Sequence, residues 1–152
     1  MLVGVISDTH GLVRPAALAA LRGADLIVHA GDVGAPEVLT QLATLAPVHA
    51  VRGNNDRGAW ARGLPPTAVV EAGEALLYVV HDVHELDLDP QAAGFAAVVS
   101  GHSHRPLTDR RGAVLYFNPG SAGPRRFRLP VTLGLLRVEG GAVEGEIVTL
   151  EA

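Results

Sequence analysis

Seven side chains able to hold a metal ion recur in one pattern along this sequence. Asp8 with His10, Asp32, Asn54, His81, and His102 with His104 each stand just past a short apolar run. Three of these positions follow a glycine directly, in Gly31-Asp32, Gly53-Asn54 and Gly101-His102. Glycine lets the chain turn sharply and brings ligands close together. Carboxylate and amide oxygens mixed with imidazole nitrogens suit a borderline divalent ion such as Mn²⁺, Fe²⁺, Zn²⁺ or Ni²⁺. Seven donors are too many for one tetrahedral site. They match two octahedral-like sites that share a bridging carboxylate, with water filling the remaining positions. Two metals ~3.5–4 Å apart stabilise both the attacking and the leaving oxygen of a displacement at phosphorus. Singly, these segments have plainer readings: Gly31-Asp32 and residues 53–56 read as turns. Two histidines two residues apart rarely serve packing, and the common placement of all seven is the stronger signal.

The elements that must position them follow from the apolar pattern. Residues 2–7, 26–30 and 47–52 read as buried strands. Between them, residues 15–22 and a segment opening at Pro36 read as helices, each with proline at the first helical position. This β-α-β-α-β order implies parallel strands joined by right-handed crossovers. In an open α/β sheet, ligands bind at the carboxyl ends of the strands. Further along, 67–72 and 75–80 predict a hairpin around Gly73-Glu74, and 95–100 predicts another buried strand. A short helix is expected over 86–94, limited by Pro90. Hairpins are expected from 106–109 with 113–117, and from 131–138 with 142–150. About ten strands and three helices, in a single domain over residues 1–152, predict two packed sheets with outer helices.

Composition narrows the chemistry. The 152-residue chain has no Cys, which excludes a disulfide framework, a thiolate metal site and a cysteine nucleophile. All 12 cationic residues are Arg, so neither a P-loop lysine nor a Schiff-base lysine exists. An apolar share of 48% against 18% charged rules out wholesale disorder. The formal charge of −4, with no basic stripe, argues against a long nucleic acid as partner. No apolar run approaches the ~18 residues of a spanning helix. The apolar start lacks a basic leader region and meets Asp8 too early for a signal peptide. A cytoplasmic location without membrane contact is the expectation. The 7 His outnumber the 3 Phe, 2 Tyr and 1 Trp together, and imidazole is the commonest metal ligand.

The ordered set Asp8-x-His10, Gly31-Asp32, Gly53-Asn54-x-Asp56, His81 and Gly101-His102-x-His104 resembles the calcineurin-like metallophosphoesterase superfamily. The short connections and Asn118-Pro119-Gly120-Ser121 are similar to its small bacterial and archaeal phosphodiesterase branch. The resemblance implies an α/β fold: a four-layer α-β-β-α sandwich of two mixed sheets with outer helices. It implies two divalent metal ions per chain, with Mn²⁺ expected in vitro and Fe²⁺, Zn²⁺ or Ni²⁺ as alternatives. By position, Asp8, His10, Asp32 and His104 would hold the first. Asp32, Asn54, His81 and His102 would hold the second, with Asp32 bridging. A hydroxide between the metals would attack phosphorus in line, with Asn54 and Asp56 as catalytic residues. Two divalent cations, two carboxylates and one hydroxide leave the site at about +1, which favours an anionic ester.

Two departures shape the expected substrate. Many members carry His as the third residue of the Gly-Asn-x-Asp motif, as acid for the leaving group. Here Asn55 stands, and losing such an acid costs ~10²–10⁴-fold when leaving-group protonation matters. Small or activated phosphodiesters are therefore expected. The family's His-Gly-His run is replaced by His81-Asp82-Val83-His84, where His81 is taken as the ligand and His84 as fallback or bystander. Asn55 and Arg125 are candidate substrate contacts, and His29 reads as a core histidine supporting the site. The expected partner is a small-molecule phosphate ester. A phosphomonoesterase or nucleotidase on the same site is the nearest alternative. A protein-binding scaffold similar to the retromer subunit on this fold is another, disfavoured because all seven ligand positions are filled. The antiparallel tail offers an edge for a homodimer.

Overall fold

The computed structural model describes residues 1–126 and 128–150, so the last two residues of the expected domain lie outside them. Among the described residues, ten strands form two five-stranded mixed sheets. The first sheet is built around β1 (Leu2–Ile6), β2 (Leu26–His29) and β3 (Val48–Ala50), all parallel. Helix α1 (Pro15–Leu21) joins β1 to β2, and α2 (Pro36–Ala43) joins β2 to β3; each opens on its proline. The second sheet contains β4 (Thr67–Ala72), β5 (Ala75–Val80), β6 (Ala97–Val99), β7 (Leu107–Arg111) and β8 (Val114–Asn118) in the order β4-β5-β6-β8-β7. Here β5, β6 and β8 are parallel, while β4 and β7 run antiparallel at the edges. The tail strands β9 (Thr132–Glu139) and β10 (Ala142–Thr149) return to the first sheet, giving β10-β9-β1-β2-β3 with β10 at its edge.

Side-chain alternation assigns the layers. Val3, Val5, Leu26 and Val28 of the first sheet meet Leu77, Val79, Ala97, Val99, Leu115 and Phe117 of the second in one buried core. The opposite face of the first sheet buries Ile6 and Ile27 against Ala17 and Leu21 of α1 and Val38 and Leu42 of α2. Phe117 is seated between the sheets because Gly134 and Gly145 leave room; a Cβ at either would strike its ring. Emptying that seat by Phe117→Ala would cost about 3–5 kcal/mol.

The helix expected over 86–94 does not form. A 3₁₀ turn, Val83–Glu85, is followed by turns through residue 94, and α1 and α2 are the only α-helices among the described residues. Pro90 cannot donate within a helix. Leu86 and Leu88 instead lie against Tyr78, Val80 and Val98 on the outer face of the second sheet. The sandwich is therefore an α/β sandwich whose second outer layer is a turn-rich strip. No helix among the described residues is long and apolar enough to cross a membrane.

Candidate metal centre

β1, β2, β3, β5 and β6 all end at one rim of the sandwich, and the seven candidate ligands follow those ends. The backbone there is unusual. Asp8 (φ 56°), His10 (φ 47°), Asp32 (φ 54°), His102 (φ 70°) and His104 (φ 63°) are the non-glycine residues with positive φ among those described. All five are candidate ligands. Such conformations cost about 1–3 kcal/mol each and persist only where surrounding structure holds them.

Asp8 is fully buried. Its Oδ2 accepts the Ser7 hydroxyl (2.7 Å) and the His102 N–H (3.1 Å). Its Oδ1 has no hydrogen-bond partner, and His104 Nε2 lies 3.4 Å and His81 Nε2 3.9 Å away. Burial opposes ionisation of Asp8, yet His104, the Ser7 hydroxyl and His81 outweigh it and keep the carboxyl below the ordinary range. Asp32 is held well below that range for similar reasons: burial is outweighed by His81 and by Asn55. Asn55 gives its backbone N–H to Asp32 Oδ1 (2.9 Å) and its side-chain amide to Oδ2 (3.0 Å). That Oδ2 stands 3.8 Å from His10 Nε2 and 3.4 Å from His81 Nε2.

His81 Nδ1 donates to the Ala30 carbonyl (2.7 Å), which fixes the tautomer. Its Nε2 then faces oxygens alone: Asn54 Oδ1 at 2.9 Å, Asp32 and Asp8. Burial opposes a charge on His81, but Asp32, the Ala30 carbonyl and Asp8 raise its pKa. A proton satisfies this position, and so would a cation. His102 Nδ1 reaches the same Asn54 oxygen at 3.3 Å, and its side chain is 45% exposed.

The donor set fits a divalent metal. Asp8, His10 and His104 form one cluster able to hold an ion; Asp8, Asp32 and His81 form a second. Asp8 is common to both, so both carboxylates stand between the histidines, not Asp32 alone. Asp8 Oδ1 and His10 Nε2 are buried without a hydrogen-bond partner, a costly state that a bound cation relieves.

The remaining candidates are placed as follows. The carboxylate of Asp56, a candidate catalytic residue, accepts three backbone N–H groups, from Val33 (3.1 Å), Gly34 (2.9 Å) and Gly53 (2.9 Å). It pins the Asp32 loop to the Asn54 loop and is a positioning residue. That contact is close: a Cβ on Gly53 would collide with Asp32. Asn55, a candidate substrate contact, spends its amide on Asp32. Arg125 is exposed and donates to the Leu129 carbonyl within its own loop (3.3 Å). His84 points to solvent and pairs with Asp82 (3.0 Å), apart from the centre. His29 is buried: it accepts from the Gly31 N–H (3.1 Å) and contacts Thr9 Oγ1 (2.9 Å), and burial pushes its pKa down to about 4.

Two supporting residues, Ser7 and Asp82, have no role legible in the sequence, and the contacts of the 118–121 turn are equally hidden there. Ser7 signals itself only as a hydroxyl closing an apolar strand. Asp82, adjacent to His81, reaches His102 Nε2 at 3.9 Å. Ser121 donates to the Asp8 carbonyl (3.0 Å), while Asn118 donates to the Gly101 carbonyl (3.0 Å) and Ser103 Oγ (3.1 Å). The 118–121 turn thus ties together two ligand loops far apart in sequence.

The profile of the calcineurin-like phosphoesterase superfamily domain matches residues 1–141. A protein of Methanothermobacter thermautotrophicus named a probable metallophosphoesterase is 34% identical across 160 aligned positions, covering 97% of this chain and 92% of its own. Among solved structures, the E. coli phosphoesterase YfcE is similar at TM-score 0.69 and 28% identity, over 90% of this chain and 88% of its own. Vps29 of Entamoeba histolytica, solved in complex with Zn²⁺, is similar at TM-score 0.73 and 26% identity, over 98% and 99%. Sequence, fold and site agree, and the chain belongs to the calcineurin-like phosphoesterase superfamily.

Proposed function

We propose that this chain is a dinuclear-metal phosphodiesterase that hydrolyses small or activated phosphodiesters. The observation carrying the reading is the pair of clusters that share Asp8, whose buried Oδ1 has no hydrogen-bond partner and lies 3.4 Å from His104 and 3.9 Å from His81. Asp8, His10, Asp32 and His104 would hold one ion, and Asp32, Asn54, His81 and His102 the other. Bound divalent ions would supply Lewis acidity and activate water at neutral pH.

The chain's own residues set the rest. Asp8 and Asp32 carry the negative charge that recruits the cations. Asn55 fixes Asp32, and Asp56 fixes the loops carrying Asp32 and Asn54. His102 and Asn54 border a pocket of about 220 Å³ that also contains His81, Arg52 and Asp82, where an ester can approach from solvent. Two cations against two carboxylates leave a surplus of positive charge for an anionic phosphate. No residue in the place of a leaving-group acid can donate a proton, because Asn55 is an amide. Esters with good leaving groups follow from that.

The test is to strip the protein of metal, restore Mn²⁺, and assay bis(p-nitrophenyl) phosphate beside the monoester, with His104→Ala as control. Metal-dependent diester turnover, lost in the variant, is the expected result. Faster monoester turnover would move the assignment to a phosphomonoesterase. The likeness to Vps29 favours one second reading, a protein-binding scaffold. Absence of both turnover and bound metal would favour it.

A further inference from the structure

The pocket of about 220 Å³ beside Asn54, His81 and His102 contains a cation the metal site does not use. Arg52 lines it, together with Pro66, Asp82 and Glu85. Its backbone is fixed on both sides: the Arg52 N–H donates to the Pro65 carbonyl (2.8 Å), and the next N–H, of Gly53, donates to Asp56. The side chain is half-buried, and among the described residues its guanidinium has no hydrogen-bond or ion-pair partner. Of the two carboxylates lining the pocket, Asp82 is already engaged, since it accepts the His84 N–H and side chain and lies near His102. An unpaired guanidinium beside a phosphoryl site, in a wall otherwise closed by proline, is placed to meet negative charge.

We propose that Arg52 is the catalytic residue that stabilises the departing oxygen, and that this pocket receives the leaving arm of the ester. This rests on the phosphodiesterase reading and supplies what Asn55 lacks. Hydroxide attacks phosphorus and forms the new P–O bond. The P–O bond to the arm breaks, and its electron pair leaves on the arm's oxygen. That oxygen departs as an anion paired with Arg52 and takes a proton from solvent afterwards. The products are the monoester and the free alcohol or phenol, with one water consumed. Asp82 and Glu85, which line the same pocket, repel further negative charge, so the arm carries no second phosphate. The substrate class is a phosphodiester whose leaving arm is an uncharged phenol or similarly acidic alcohol.

Two readouts on the full chain test this. The first titrates wild type, Arg52→Lys and Arg52→Gln with p-nitrophenol, both Mn²⁺-loaded and metal-free, and follows the absorbance of the phenolate. Wild type should bind the anion and ionise the bound phenol at lower pH than the free phenol. Arg52→Lys should keep part of this, and Arg52→Gln should lose it. The second measures turnover over aryl phosphodiesters of increasingly basic leaving groups, at verified equal metal content. In Arg52→Gln, kcat should fall progressively, reaching about 10²-fold for the most basic phenol, with KM held. An equal fall across the series, a rise in KM alone, or undiminished phenolate binding by Arg52→Gln overturns the proposal. If wild type turns over no ester while metal is bound, the phosphodiesterase reading fails, and the phenolate titration still decides Arg52.

Discussion

On one side of the metal centre, Asp8 and His104 are buried and His10 is largely covered; on the other, Asn54 and His102 stand open to solvent. The two halves also differ in how they are held. Asp8 is fastened by Ser7, the His102 N–H and, through its carbonyl, Ser121. Behind Asp32, His29 braces Gly31 and Thr9. Asn54 and His102 instead share one amide oxygen and border a pocket. Under the proposed function, the covered half would retain its ion because water cannot replace its donors. An open half can exchange a water for a phosphoryl oxygen. On that reading, the first half would store charge and the second would meet substrate.

The largest effect is expected in the covered half. Asp8→Asn removes the negative charge that belongs to both clusters, so it should release the ion Asp8 would hold, weaken the other, and lower diester turnover by more than about 10³-fold, several kcal/mol of lost charge stabilisation. Metal analysis after reconstitution, together with the diester assay, measures it. A variant that still carries two ions would show the clusters to be independent.

The next effect needs no substrate. His29 is buried and neutral, with its pKa lowered to about 4 from 6.5. Its contribution is fully present above pH 6.5 and is lost as pH falls through about 4, amounting to roughly 3 kcal/mol. His81 acts oppositely: its pKa is raised, so its contribution is full below 6.5 and fades as pH rises through the raised value. Urea unfolding of the metal-free protein between pH 7 and pH 4 should show the loss, and His29→Gln should flatten it. Equal slopes for the two proteins would contradict the bracing role.

In the open half, His102→Ala should cost about 10²-fold in turnover while one ion per chain stays bound, because the Asp8, His10 and His104 cluster is untouched. Loss of both ions would erase the distinction between the halves. Smaller again, Asp56→Asn should weaken metal affinity by about 10–100-fold, since it supports ligand loops without touching an ion. Equilibrium Mn²⁺ titration checks this, and unchanged affinity would show that the loops hold without their pin.

The same contrast marks what the sequence could reveal. Strand ends were legible because apolar runs stop at polar residues, and the 67–72 and 75–80 hairpin matches β4 and β5 residue for residue around Gly73 and Glu74. The seven ligand positions were legible as residue types at those ends. His29 and the 118–121 turn were legible as residues belonging to the site, but the contacts by which the supports act were not. Ser121 reaches Asp8 across 113 positions, and Asp56 reaches Val33 across 23. Such contacts depend on loops packing in three dimensions and leave no local pattern. The positive φ of Asp8, His10, Asp32, His102 and His104 was equally hidden, because local propensity assigns that conformation to glycine. The segment 86–94 misled because Leu86 and Leu88 are spaced to lie on a sheet face, a pattern too short to separate from a helical turn.

The proposed function requires that Asp8, His10, Asp32 and His104 hold one ion and that Asp32, Asn54, His81 and His102 hold a second. Electron paramagnetic resonance of the Mn²⁺-loaded wild-type protein tests it most directly, with metal content measured on the same sample. The account predicts two Mn²⁺ per chain and the multiline spectrum of a spin-coupled pair, collapsing to isolated-ion lines in His102→Ala. Two isolated Mn²⁺ signals in wild type, or a single ion per chain at saturation, would contradict it.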